Sequence, residues 1–116
     1  RVLFRSCSGY QNWQSLNLYF SADAIHQPGQ IIRIASGCSE KEQEELHDLH
    51  SLLPSRYSVH FTPDYSKDPN TGDTYPFYNK PFGLKHWLAN SILQPFPKDA
   101  IIALLDPDFI FLRKLE

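Results

Sequence analysis

Short apolar runs alternate with longer stretches of helical periodicity along this chain, and no other feature restricts its fold as much. Val2 to Arg5 reads as a strand ending at Ser6-Cys7-Ser8-Gly9. Asn12 is expected to cap a helix running to about His26, with Trp13, Leu16, Tyr19 and Phe20 at helical spacing and Pro28-Gly29 as its stop. Gln30 to Ala35 is short and β-branched, as a second strand should be. Ser39 and Glu42 form a capping box that opens an acidic helix with Leu46, Leu49 and Leu53 apolar, and Pro54 ends it. Tyr57 to Phe61 is the third strand. Asn79 is expected to cap the next helix, with Pro81 in the first turn, where its missing N–H is harmless, and an end before Pro95. Ala100 to Leu105 is apolar throughout, which suits a strand buried on both faces of a sheet.

Alternation of this kind implies an α/β domain with a mostly parallel sheet and helices on both faces. The 116 residues suffice for one domain, 1–116, that buries about two-thirds of its unfolded surface. The 41% hydrophobic and 21% charged content is that of an ordered protein, so a packed core is expected. Net charge is −2 with Lys and Arg dispersed, which argues against a nucleic-acid partner and against a polybasic membrane anchor. No apolar run approaches the ~18–20 residues of a transmembrane helix. The chain opens on Arg1-Val2-Leu3-Phe4, already strand-like, so any targeting segment or membrane anchor is expected outside it. Cys7 and Cys38 each follow a strand; they form either a disulfide suited to an oxidising lumen or two small buried hydrophobes.

In open α/β sheets ligands bind at the carboxyl ends of the strands, and there Leu105 is followed by Asp106-Pro107-Asp108. Extended residues i and i+2 point the same way, so an extended segment would aim both carboxylates at one point. Two such acids repel unless something positive lies between them. A hard cation, Mg²⁺ or Mn²⁺, answers that and keeps positions for water and phosphate oxygens. The alternative is a pair of solvated acids at a strand end. Lys80 opens a helix, where free N–H groups and the dipole favour an anion, and is either a diphosphate contact or a solvated lysine. The segment from Thr62 to Tyr78, rich in Pro, Gly, Asp and Asn, is a long loop whose Tyr65, Tyr75, Phe77 and Tyr78 favour an ordered binding role.

Several motifs then fall in one order: Tyr10-x-x-Trp13-Gln14, Arg33-Ile34 with Ser36-Gly37-Cys38, Asn79-Lys80-Pro81 with His86-Trp87-Leu88, and Leu105-Asp106-Pro107-Asp108-Phe109-Ile110-Phe111. In this the chain resembles the plant and algal peptidyl-serine α-galactosyltransferase and hydroxyproline O-arabinosyltransferase group. The loop Pro69 to Pro76 is closer to the serine galactosyltransferase branch. The resemblance implies a Rossmann-like GT-A nucleotide-sugar-binding half, a UDP-sugar donor, Mn²⁺ or Mg²⁺, and a serine-containing or hydroxyproline-rich polypeptide acceptor. It also implies a Golgi or endoplasmic reticulum lumen. By position it makes Asp106 and Asp108 the metal-binding acids and Ser6 and Cys7 neighbours of the nucleoside, while Asn79 and Lys80, at the opening of their helix, are expected to bind the donor. A GT-A catalytic domain needs far more chain after its metal motif than Phe109 to Glu116, so the chain is expected to be a fragment, with the catalytic residues elsewhere.

Two other readings compete. An Asp-x-Asp phosphotransferase carries its motif on an early strand, followed by Thr or Val, unlike Phe109-Ile110 here. A non-catalytic, degenerate transferase module would bind nucleotide or peptide through the 62–78 loop. His47 and His50 have a spacing that can bind metal but read as a solvated helix face. Arg33 reads as an ion-pair partner within its strand, and His86 as helix packing or a residue facing the cleft.

Overall fold

The computed structural model describes residues 2–4, 7–91, 96–106 and 108–115. The elements are β1 (Val2–Phe4), α1 (Gly9–Ala24), β2 (Ile31–Ser36), α2 (Glu40–Ser51), β3 (Tyr57–Thr62), α3 (Asn79–Asn90) and β4 (Leu104–Leu105), with a 3₁₀ turn at Pro76–Tyr78 before α3. This is an α/β architecture. The four strands form one sheet in the order β3-β2-β1-β4, and every described pairing is parallel. β1 therefore has its sequence neighbour β2 on one side and the distant β4 on the other. Strand order reverses between β1 and β4, and a crevice opens at such a reversal outside the carboxyl ends.

Alternation along β2 divides the core. Ile31 packs with Leu18, Tyr19 and Ala22 of α1 and with Tyr57, Leu105 and Phe111. Ile32 and Ile34 face the other way, onto Trp87 and Leu84 of α3. α2 lies on the α1 side, where His50 meets the Tyr19 hydroxyl at 3.1 Å. Full burial of a side chain such as Ile34 stabilises by about 1.5–3 kcal/mol. At the base of α1, Arg56 pairs with Asp23 at 2.6 Å and lies over the Tyr57 ring, which stacks on Tyr19. Burial pushes the Tyr57 hydroxyl up to about 12, so it stays a donor to Asp23.

Several expectations change. Ser8, not Asn12, caps α1, accepting from the Gln11 N–H at 3.3 Å. Ser8 stands three residues before Gln11, the spacing of a capping box, whereas the Asn12 side chain turns to Arg33. Trp13 and Phe20 are exposed; Leu18 and Ala22 share the buried face with Tyr19 instead. The Asn79 side chain does not cap α3: Tyr78 holds the cap position with no side-chain bond. The largest change is at Ala100 to Leu105, where only Leu104 and Leu105 are strand and Ile101 is 90% exposed. β4 lies beside β1 and pairs with it through Val2↔Leu104 and Leu3↔Leu105. Ser39 and Glu42 do form both halves of the capping box on α2.

Candidate functional site

Because the sheet is parallel, the segments after β1, β2, β3 and β4 emerge at one edge. Cys7 follows β1 and Cys38 follows β2, and the two are joined in a disulfide with Cα atoms 5.5 Å apart. Each cysteine immediately precedes a helix cap, Ser8 or Ser39, so the bridge ties together the N-termini of α1 and α2. Ser36 and Thr62, paired in register, exchange a hydroxyl hydrogen bond of 2.7 Å. Gly37 then adopts a φ of +72°, and its N–H donates to the Thr62 carbonyl at 3.0 Å. A Cβ there would lie 3.0 Å from Asp64 Cβ, so glycine admits the close approach of the loop after β3.

That loop is ordered by its own polar groups. Asp68 accepts from the Asn70 N–H at 2.8 Å and from the Thr71 hydroxyl at 3.1 Å, and Lys67 and Thr74 form an antiparallel bridge. Asn79 fastens the loop to α3: its Oδ1 accepts from the Tyr65 N–H at 2.6 Å, and its amide donates to Asp64 at 3.2 Å. Bonds from Ser66, and then from Asn79, hold the Asp64 carboxyl below the ordinary carboxylate range. Tyr65, Tyr75, Phe77, Tyr78 and Phe82 form a chain of ring contacts at 5.1–6.4 Å, with Tyr75, Phe77 and Phe82 about half exposed.

Lys80, one residue after Asn79, reaches the carboxyl end of β4. Its ammonium lies 2.8 Å from Asp106 Oδ1, with side-chain exposures of 36% for Lys80 and 67% for Asp106. The structure thus brings together Lys80 and Asp106 at the reversal of strand order, with Asn79 beside Lys80 in the chain. Ser6 lies outside the described residues. Cys7 is committed to its disulfide. The Phe109 N–H donates to the Asp106 carbonyl at 3.0 Å, and Asp106 and Asp108 are both exposed, while Pro107 between them lies outside the described residues.

Among the described residues no group of three or more His, Cys, Asp or Glu side chains could hold a metal. Asp106 and Asp108 offer two carboxylates. A magnesium-class ion is held by one or two carboxylates while water and phosphate oxygens complete its shell. The donor set thus fits such an ion in company with a phosphate ligand, and the Lys80 ammonium on Asp106 occupies the place of a positive charge.

Other titratable groups have separate duties. Arg33, buried at the centre of the sheet, donates to Asn12 Oδ1 at 2.6 Å, and burial lowers its pKa. His50 is not on a solvated face: it is buried, bonded to Tyr19 and to the Leu46 carbonyl, and held below its ordinary value chiefly by burial. His86 bonds His60 of β3 at 2.9 Å. His60 and Trp87 also line a cleft of about 360 Å³ at the opposite, amino edge of the sheet, with Gln30, Ile32, Ser58 and Asn90. Sequence reasoning missed Asp64 as the partner of Asn79 and Asp106 as the partner of Lys80. Separations of 15 and 26 residues leave no local pattern to find.

The chain is similar to the peptidyl serine alpha-galactosyltransferase of Chlamydomonas reinhardtii, with 33% identity over 107 residues, 92% of this chain and 13% of that protein. It is similar to the protein of the same name from Arabidopsis thaliana, with 34% identity over 104 residues, 90% of this chain and 12% of that protein. The chain therefore spans about an eighth of the length of the curated relatives it matches. No family model matches, and no solved structure matches.

Proposed function

From the premise of a chain related over nine-tenths of its length to peptidyl serine alpha-galactosyltransferases, we propose that it is the donor-binding segment of a glycosyltransferase. The enzyme transfers a sugar of the galactose or arabinose class from a UDP-sugar to a serine or hydroxyproline of a polypeptide. The segment is the nucleotide-sugar-binding half of a GT-A fold. The observation that carries the reading is the Lys80–Asp106 pair at the carboxyl edge, where the order β3-β2-β1-β4 reverses.

Asp106 and Asp108 would hold Mn²⁺ or Mg²⁺, which would supply Lewis-acid stabilisation to a diphosphate leaving group. Lys80 and the first N–H groups of α3 donate to the same phosphates, stabilising the charge that develops as the glycosidic bond to the nucleotide breaks. Asn79 sets Lys80 in place by fastening α3 to the 62–78 loop. The backbone at Cys7, held by the disulfide, borders the nucleoside. A Golgi or endoplasmic reticulum lumen accords with that bridge, because disulfides persist in oxidising compartments. The half-exposed ring cluster of Tyr75, Phe77 and Phe82 favours one other reading, a degenerate module that binds peptide without transferring sugar.

Calorimetric titration of UDP into the chain, with and without Mn²⁺, tests the proposal. Binding should require the metal and be lost in Asp106→Ala/Asp108→Ala. A folded wild-type chain that takes up UDP equally well without metal, or not at all, overturns the donor-site reading.

A further inference from the structure

We infer that Lys80 is an exchangeable occupant of the cation site: it neutralises Asp106 until a divalent ion arrives, then passes to the diphosphate. The inference rests on the donor-site reading and adds an order of events and a sign to it. Its basis is geometric. Lys80 Nζ lies 2.8 Å from Asp106 Oδ1, which is charge-assisted hydrogen-bond distance. One cationic group therefore already neutralises this carboxylate through Oδ1, and a divalent ion on either of its oxygens would lie close enough to the ammonium to repel it. The pair is also easy to part. Asp106 is two-thirds exposed and Lys80 a third, and an exposed ion pair is worth little in water. Lys80 has a flexible four-carbon stem, so its head can swing while its backbone stays fixed.

That backbone is well fixed. Lys80 is the second residue of α3 and follows Asn79, whose side chain is bonded to the Tyr65 N–H and to Asp64. The ammonium released from Asp106 thus stays tethered at a helix N-terminus beside the carboxyl edge, where an anion is already favoured. Asp106 gives up a monovalent partner for a divalent one, and Lys80 gives up a carboxylate for a phosphate oxygen. Metal and nucleotide then assist each other: the metal frees Lys80 for phosphate, and phosphate draws Lys80 off the metal's ligand. Such coupling is reciprocal by linkage.

The test is Lys80→Ala, read by Mn²⁺ binding in electron paramagnetic resonance and by UDP binding in calorimetry, with Lys85→Ala on the same helix as a charge control. Removing Lys80 should tighten Mn²⁺ binding without nucleotide by about two- to fivefold, the range of an exposed ion pair. It should weaken UDP binding at saturating Mn²⁺ by about tenfold, a lost charge-assisted hydrogen bond. Lys85→Ala should change neither. Mn²⁺ binding in Lys80→Ala that is unchanged or weaker, or that tightens equally in Lys85→Ala, overturns the exchange. Asp106→Ala separates the two ideas: lost Mn²⁺ binding there keeps the metal site even when the exchange fails, and retained Mn²⁺ binding refutes both.

Discussion

Two six-residue runs, Ile31–Ser36 with its Arg33 and Ser36 and Ala100 to Leu105 with no polar residue, behave differently in this fold. Ile31–Ser36 is strand throughout and buried at every position. In Ala100 to Leu105 only the last two residues are strand, and Ile101 lies almost bare. The run with the polar residues is the more buried, so hydrophobicity does not decide the difference; position in the sheet does. β2 pairs on both sides, with β3 along all six of its residues and with β1 along three. β4 pairs with β1 at two positions. Ahead of the paired residues Ala103 still packs against the α1 cluster, whereas Ile101 and Ile102 meet water. At the opposite, carboxyl end of β4, Asp106 stands open to solvent beside Lys80.

The largest effect should come from the centre. Ile34→Ala, at a fully buried position between α3 and the sheet, should cost about 4 kcal/mol in denaturant unfolding. Loss of the disulfide in Cys7→Ser/Cys38→Ser should come next, at about 3 kcal/mol for a loop of this size. Reduction of the native chain should reproduce it; an unchanged urea midpoint would mean that the bridge holds nothing that the sheet does not. Leu105→Ala, buried yet near the edge, should cost about 2 kcal/mol. Ile101→Ala should cost under about 0.5 kcal/mol. A cost at Ile101 equal to that at Ile34 would break the comparison.

Acid should act through the histidines. Burial holds His50 and His60 below 6.5, so near that pH the unfolded chain binds protons that the folded chain does not. Stability should therefore fall as pH drops through about 6.5 and level off below the folded values, with further loss below the carboxylate range as Asp64 and Asp68 protonate. Urea midpoints between pH 8 and 5 measure it. In His50→Leu/His60→Leu the slope between pH 7 and 6 should flatten; an unchanged slope would assign the sensitivity to other groups.

Much of this was legible in the chain. The Ser39–Glu42 capping box, the β-branched Ile31–Ser36 run and the proline in the first turn of α3 depend on neighbours within a few residues, and they form as local chemistry requires. The cap of α1 was legible too, in Ser8 and Gln11, although Asn12 offered an equally good local signal until Arg33 claimed its side chain. The strand alternation implied a parallel sheet, and it put Asp106 at the carboxyl end of the last strand, where it lies.

What the amino-acid order determined by itself was this set of local elements, their alternation, and so the class of fold. What only the tertiary structure decided was which groups meet: Cys7 with Cys38, Asn79 with Tyr65 and Asp64, His60 with His86, Lys80 with Asp106. It also decided which strand lies beside β4, since β1 stands at the opposite end of the chain. The physical reason is the range of the forces. Capping, turn chemistry and side-chain periodicity act over three or four residues, whereas pairing and burial depend on segments that the chain brings together only when it closes on itself.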